Sequence, residues 1–295
     1  LAGQRIVDMY AESAVKLLLP ELEKGLLVEN WRIRYSSVKL IGDLLYKISG
    51  ITGKAYTDVA GEDEISDGRS EEAIKTVLSN DTRNRVLSGV YMCRSDISHE
   101  VKHAALHIWK MVIGNTPKTL REILPTMFSI LLGCLASSNE EKQQMAARTL
   151  GDLVKKLGER VLPEIIPILE DGLRSNRSDQ RQGVCIGLSE IIASTHKDMV
   201  PTFVPSLVPT VRRALHDPLP VVREAAARTF DSLHQCLGNK ALDEVLPPLI
   251  KQLNDPNHGE AALDGIRQMM ATKNKIILPY ILPHLTDNQP VNTKA

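Results

Sequence analysis

Apolar residues recur through most of the chain at spacings of three and four, the interval that lines one face of an α-helix. In "VVREAAARTFDSL" (221–233) Val222, Ala225, Ala226, Phe230 and Leu233 make one apolar face, with Arg223, Glu224, Arg228 and Asp231 between them. The same rhythm runs through "RIRYSSVKLIGDLL" (32–45), "KQQMAARTLGDLV" (142–154) and "QRQGVCIGLSEII" (180–192). Signals for β-strands are nearly absent. The pattern predicts an all-α chain of amphipathic helices.

Superposing these segments gives one apolar column: Ile41, Leu150, Leu188 and Phe230, joined by Trp109 and Ile266. After a longer first gap it recurs about every 40 residues, the period of paired-helix solenoids of the HEAT and armadillo type. A proline precedes three of these positions at a constant offset (Pro20, Pro167, Pro209), with Pro125 and Pro248 in similar places. Each is expected to open or bend the first helix of a pair, because proline lacks an amide donor and fixes its own φ. The expected fold class is therefore all-α, a HEAT-repeat α-solenoid built as a right-handed superhelix of stacked antiparallel helix pairs. The expected repeats are 11–49, 80–115, 116–157, 158–197, 198–238 and 239–272. Residues 1–10 close a preceding repeat and 273–295 open an incomplete one. Neither end offers a polar capping repeat and the first residue is not Met, so a piece of a longer protein is expected.

A second column is basic: Arg34, Lys102, Arg181 and Arg223, replaced by Gln143 and Gly259 in two repeats. It falls near the start of each second helix, where a ladder of polar contacts to turn residues such as Asp217 is expected. The long first gap is filled by "GITGKAYTDVAGEDEISDGRSEE" (50–72), rich in acid and glycine, which predicts a solvated loop; with its lead-in it occupies 50–79. "GITGKA" lacks the spacing and the Ser/Thr of a phosphate loop and is expected to end a helix around Gly50 and Gly53.

The overall charge changes little. Acidic and basic residues balance at 36 each, so no global field points to nucleic acid or to a membrane, and no apolar run is long enough to span a bilayer. Four lone cysteines (Cys93, Cys134, Cys185, Cys236) predict buried thiols in a reducing, cytoplasmic setting. His99-Glu100-Val101-Lys102-His103 formally matches a zinc-hydrolase motif. In the repeat register, however, Val101, Ala104, Ala105, Ile108 and Trp109 take the buried positions, and the histidines fall on the polar face. His107 lies two turns from His99, about 12 Å along a helix, too far to share a metal bound at about 2 Å. No other catalytic set emerges, and no metal, cofactor or small-molecule substrate is expected. Basic residues do cluster locally, at Lys155, Lys156 and Arg160, at Arg174, Arg177 and Arg181, and at Arg212, Arg213 and Arg223. On one edge they could contact phosphate groups.

"WRIRYSSVKLIGDLLYKISGITGK", "AARTLGDLVKKLGERVLPEIIPILEDGLRS" and "RQGVCIGLSEII" closely resemble the general-control non-derepressible translational activators. These are very large HEAT-repeat proteins of eukaryotic amino-acid starvation signalling. The resemblance spans essentially the whole chain, a small part of such a protein. It implies a non-catalytic scaffold that lies along stalled ribosomes, binds an ABC-type partner, and helps activate the kinase that phosphorylates initiation factor 2 alpha. It places the kinase-binding region C-terminal to this chain and the part similar to elongation factor 3 N-terminal to it. Two other readings remain at this stage. One is a HEAT adaptor of another kind, such as a transport receptor, phosphatase scaffold or tubulin-binding module. The other is a zinc hydrolase on His99, Glu100 and His103.

Overall fold

The structure is a computed structural model and describes residues 11–50 and 69–286. Among these, thirteen α-helices follow one another: α1 (Ala11–Gly25), α2 (Trp31–Ser49), α3 (Arg69–Val77), α4 (Asn80–Cys93), α5 (His99–Val112), α6 (Thr116–Leu135), α7 (Glu140–Leu157), α8 (Leu162–Gly172), α9 (Ser178–Ser194), α10 (Val200–Leu215), α11 (Pro220–Leu237), α12 (Asn239–Gln252) and α13 (Gly259–Thr286). A 3₁₀ turn, Glu159–Val161, precedes α8. The last helix bends at Lys273, whose φ of −139° and ψ of 51° lie outside the helical range. Its two halves are the second helix of one pair and the first helix of the next.

Short polar turns separate the helices, and their side chains occupy amide groups that a helix start leaves free. Asn30 Oδ1 accepts from the Arg32 amide at 3.0 Å, Ser79 Oγ from the Thr82 amide at 3.3 Å, and Asn139 Oδ1 from the Lys142 amide at 3.0 Å. Gly50 ends α2 with φ of +70°, a conformation that costs an L side chain energy. Pro20, Pro125, Pro167, Pro209 and Pro248 lie inside α1, α6, α8, α10 and α12. All five are at least partly exposed. The carbonyl each leaves unbonded lies one turn back on the same outward face, where water can reach it.

The chain divides into two compact units, Leu1–Leu131 with Asn139–Thr149, and Leu132–Ser138 with Leu150–Ala295. In the first, α2 packs on α1, α3 and α5. Val38, Ile41, Leu44 and Leu45 of α2 are buried, as are Val101, Ala105 and Trp109 of α5. In the second, α11 packs on α9 and α13, and on α10 beside it in its own pair. Leu188, Phe230 and Ile266 are buried there, with Leu150. Second helices thus stack on second helices, with first helices on the other side, which is the layer order of a paired-helix solenoid.

Residues 69–72, expected in a loop, belong to α3, and residues 51–68 of the acidic stretch fall outside the described residues. The reason α3 escapes a sequence pattern is its brevity. Nine residues hold only Ile74 as a fully buried aliphatic, with Leu78 just beyond. Polar contacts supply the rest. Glu71 is buried and accepts from Thr119 Oγ1 at 2.9 Å. Lys75 lies 3.3 Å from Glu122, which also pairs with Arg83 at 3.2 Å.

Candidate functional site

Ser98 starts α5, and His99, Glu100 and His103 are all exposed on its first two turns. The His99 and His103 rings stack with centroids 5.9 Å apart. Glu100 accepts from Ser98 Oγ at 2.8 Å. That hydrogen bond, with the Glu100 backbone amide, holds its carboxyl below the usual glutamate range. Among the described residues no group of three or more His, Cys, Asp or Glu side chains is placed to hold a metal ion. A hydrolytic zinc needs three protein ligands and a shaped cavity, and the exposed face of α5 offers neither.

The basic column has a definite structural use. Arg34 donates through Nε to Asp96 Oδ2 at 2.7 Å and through a terminal nitrogen to Asp96 Oδ1 at 2.9 Å. Its other terminal nitrogen reaches the carbonyls of Val28 and Glu29. Arg181 repeats the arrangement, with two bonds to Asp217 at 2.7 and 3.0 Å and one to the Ser175 carbonyl at 2.9 Å. Arg223 bonds Asp264 at 2.6 Å and the carbonyls of Asp217 and Pro218. Each guanidinium therefore closes the turn of its own helix pair and fastens the next pair through a carboxylate. The hydrogen bond to Asp217 raises the pKa of Arg181 above its ordinary value despite burial. The carboxylates in turn cap chain turns: Asp96 Oδ1 accepts from the Ser98 amide and Asp217 Oδ1 from the Leu219 amide. Lys102 is exposed, and Gln143 is buried at its place in the column. Asp96 was findable in the sequence, since it precedes Lys102 by the same offset that Asp217 precedes Arg223. Asp264 was not, because it sits within α13 rather than in a turn.

The clustered basic residues do not share one edge. Lys155 and Lys156 close α7 and Arg160 lies in the following 3₁₀ turn, all exposed. Arg174, Arg177 and Arg181 lie between α8 and α9, and Arg212 and Arg213 end α10. In antiparallel helix pairs these are opposite ends of the molecule's layers. The second group is also largely engaged. Arg174 pairs with Asp171 at 2.7 Å, Arg177 donates to the Ala136 carbonyl at 2.9 Å, and Arg181 and Arg223 are held as above. Arg212 is half-buried and Arg213 exposed at a helix C-terminus, where a cation is favoured by the helix dipole without any partner. The cysteines do not widen the chemistry. Cys93, Cys134 and Cys185 are buried and Cys236 is half-buried, and burial pushes the Cys185 thiol up to about 12. No helix among the described residues is long and apolar enough to cross a membrane.

Stacked helix pairs, prolines in the first helices and the arginine–aspartate ladder together define a HEAT-repeat protein. The family model of the EF3 N-terminal HEAT repeat matches residues 119–230. Over all 295 residues the chain is 60% identical to the stalled ribosome sensor GCN1 of Mus musculus, and equally to that of Homo sapiens. The eIF-2-alpha kinase activator GCN1 of Saccharomyces cerevisiae is 41% identical over 285 residues, 96% of this chain. In each case the chain spans 11% of the relative's length. The resemblance to that activator family therefore extends along the whole chain. One expectation is corrected. The part similar to elongation factor 3, placed N-terminal to this chain, falls within it at 119–230.

Proposed function

We propose that this chain is a non-catalytic scaffold segment of a ribosome-associated translational activator. Its end-to-end identity with proteins called stalled ribosome sensor and eIF-2-alpha kinase activator carries the reading. The architecture supports it, since stacked helix pairs present a long surface with each repeat contacting its neighbours. In this reading the protein is cytoplasmic and its direct partner is the ribosome, through protein or ribosomal RNA. An ABC-type translation factor and the initiation factor 2 alpha kinase bind other parts of the full-length protein. The helix pairs serve as repeats 11–49, 80–115, 116–157, 158–197, 198–238 and 239–272, and Lys155, Lys156 and Arg160 are the first contact residues to test.

Crosslinking of the full-length protein on stalled ribosomes, mapped residue by residue, tests this. Crosslinks from 80–286 to ribosomal components are expected. Dense crosslinks from the rest of the protein with none from this segment would overturn the assignment.

A further inference from the structure

The cations of the second unit fall into two sets. Among those between the helices of a pair, Arg174, Arg177, Arg181 and Arg223 each hold a carboxylate or a carbonyl, while Arg212, Arg213 and Lys251 close α10 and α12, where the helix dipole favours a cation. Those between one pair and the next are different, apart from Lys273 at the bend of α13, which pairs with Asp231 at 2.9 Å. Lys155, Lys156 and Arg160 lie between α7 and α8, Lys197 between α9 and α10, Lys240 at the start of α12 after α11, and Lys275 just past the bend of α13. All six are exposed, and none is bonded or ion-paired to another described residue. Because consecutive helices are antiparallel, these turns lie along a single edge of the unit. From Arg160 onward every turn on that edge carries a cation, about one per 40-residue repeat.

Local stability accounts for Lys155 and Lys156, which lie in the last turn of α7 where the helix dipole favours a cation, but not for the other four. A cation beside a helix N-terminus is opposed by the helix dipole, which favours an acid there. Second helices α7, α9 and α13 obey that preference, with Glu140 and Glu141, Asp179 and Glu260 in their first turns, though α11 has no acid there; of the first helices, α8 has Glu164, whereas α10 and α12 have none. Acidic residues are present on the cationic edge. Glu159 precedes Arg160 in the 3₁₀ turn and Asp198 follows Lys197, Glu164 lies in the first turn of α8, Asp243 and Glu244 sit within α12, and Asp243 is hydrogen-bonded with Tyr280. The edge also lacks the apolar core of a protein interface. Met199 is a large exposed apolar residue there and Leu278 lies one turn beyond Lys275, while Leu219 and Val221 lie at the opposite edge. Lysine is depleted in protein–protein interfaces and is a principal donor to phosphate backbones.

We propose that this edge, through Lys155, Lys156, Arg160, Lys197, Lys240 and Lys275, tracks the phosphate backbone of RNA. The inference rests on the ribosome-binding reading and narrows it, naming RNA as the partner and adding three lysines outside the clusters visible in the sequence.

The test uses the full-length protein and purified ribosomes, with affinity measured across a series of salt concentrations. A triple variant, Lys197→Gln, Lys240→Gln and Lys275→Gln, is compared with a control at the opposite edge, Arg174→Gln and Arg213→Gln. Each lost phosphate contact lowers the slope of log affinity against log salt by about 0.7 on single-stranded nucleic acid. The triple variant is expected to lose roughly 2 from that slope, and the control to keep the wild-type value. Ultraviolet crosslinking should join peptides bearing Lys197, Lys240 or Lys275 to ribosomal RNA. A triple variant with wild-type slope, or crosslinks from this edge to ribosomal protein alone, would overturn the RNA contact and leave the scaffold reading standing. Failure of the wild-type protein to bind ribosomes would overturn that reading itself.

Discussion

Arg181 shows most directly how one residue type serves this fold. Its side chain is about one-eighth exposed and that of Asp217 less, and they share two hydrogen bonds. The pair joins consecutive helix pairs, so its loss is felt at a repeat boundary. Removing one partner strands the other in a poorly solvated place, which costs about 3 kcal/mol for buried pairs, whereas removing both can be nearly neutral. Arg181→Met should therefore lower the unfolding free energy strongly, and Asp217→Asn should do so less because Asn still caps the Leu219 amide. The double variant should recover part of the Arg181→Met loss. Denaturant titration of the four proteins measures this coupling. Strict additivity would mean that the two residues act independently. The basic column was legible in the sequence because it recurs with the apolar one, and Asp217 stood out as a turn acid. Its exact geometry was not legible, because Arg223 reaches Asp264 on a helix rather than the turn acid Asp255.

At the scale of an element, close approach decides what a sequence pattern cannot. Gly183 of α9 faces the end of α6. A β-carbon built on it would lie 1.9 Å from the Leu135 carbonyl oxygen, with the carbonyl carbon and α-carbon of Leu135 next nearest. No side-chain rotation relieves that contact, so Gly183→Ala must push α9 off α6. Overpacking of this sort costs about 1–3 kcal/mol. Gly133, inside α6 and exposed, has nothing within 4 Å of its missing β-carbon. There alanine should stabilise by roughly 0.5–1 kcal/mol through helix propensity. Thermal melts of the two variants should move in opposite directions. Equal effects would show that α9 and α6 are not in close backbone contact. Helices of fourteen or more residues could be anticipated from their periodicity, since several turns repeat the same face. Helix α3 could not, because a nine-residue segment held by Glu71, Lys75 and their partners leaves almost no apolar signature.

At the scale of the whole molecule, the titration of half-buried histidines sets a direction that both units share. His107 in the first unit, and His216 and His234 in the second, all have pKa values below the ordinary 6.5. Burial is the main cause in each. Lys39, His103 and Lys110 add to it at His107, and Lys273 at His234. At His216 the ring of His258, 6.3 Å away, and Arg212 add to it, against the Arg212 carbonyl and Asp217. A group with a lowered folded-state pKa binds its proton more readily once unfolded. The unfolded state therefore holds more protons as pH drops below about 6.5, and stability falls with it. Glu100 and Asp255 do not mask this trend. A hydrogen bond from Ser98 and one from the Asn257 amide, respectively, hold their carboxyls below the usual range, so they stay charged throughout. Melting temperature at constant ionic strength should be level above pH 7 and decline between pH 6.5 and 5.5. His216→Gln should flatten part of that decline, because Gln can occupy the site without taking up a proton. If the protein unfolds in two transitions, one per unit, both should move down together. A melting temperature that holds steady or rises over this interval would show that the three rings are as well solvated in the folded chain as in the unfolded one.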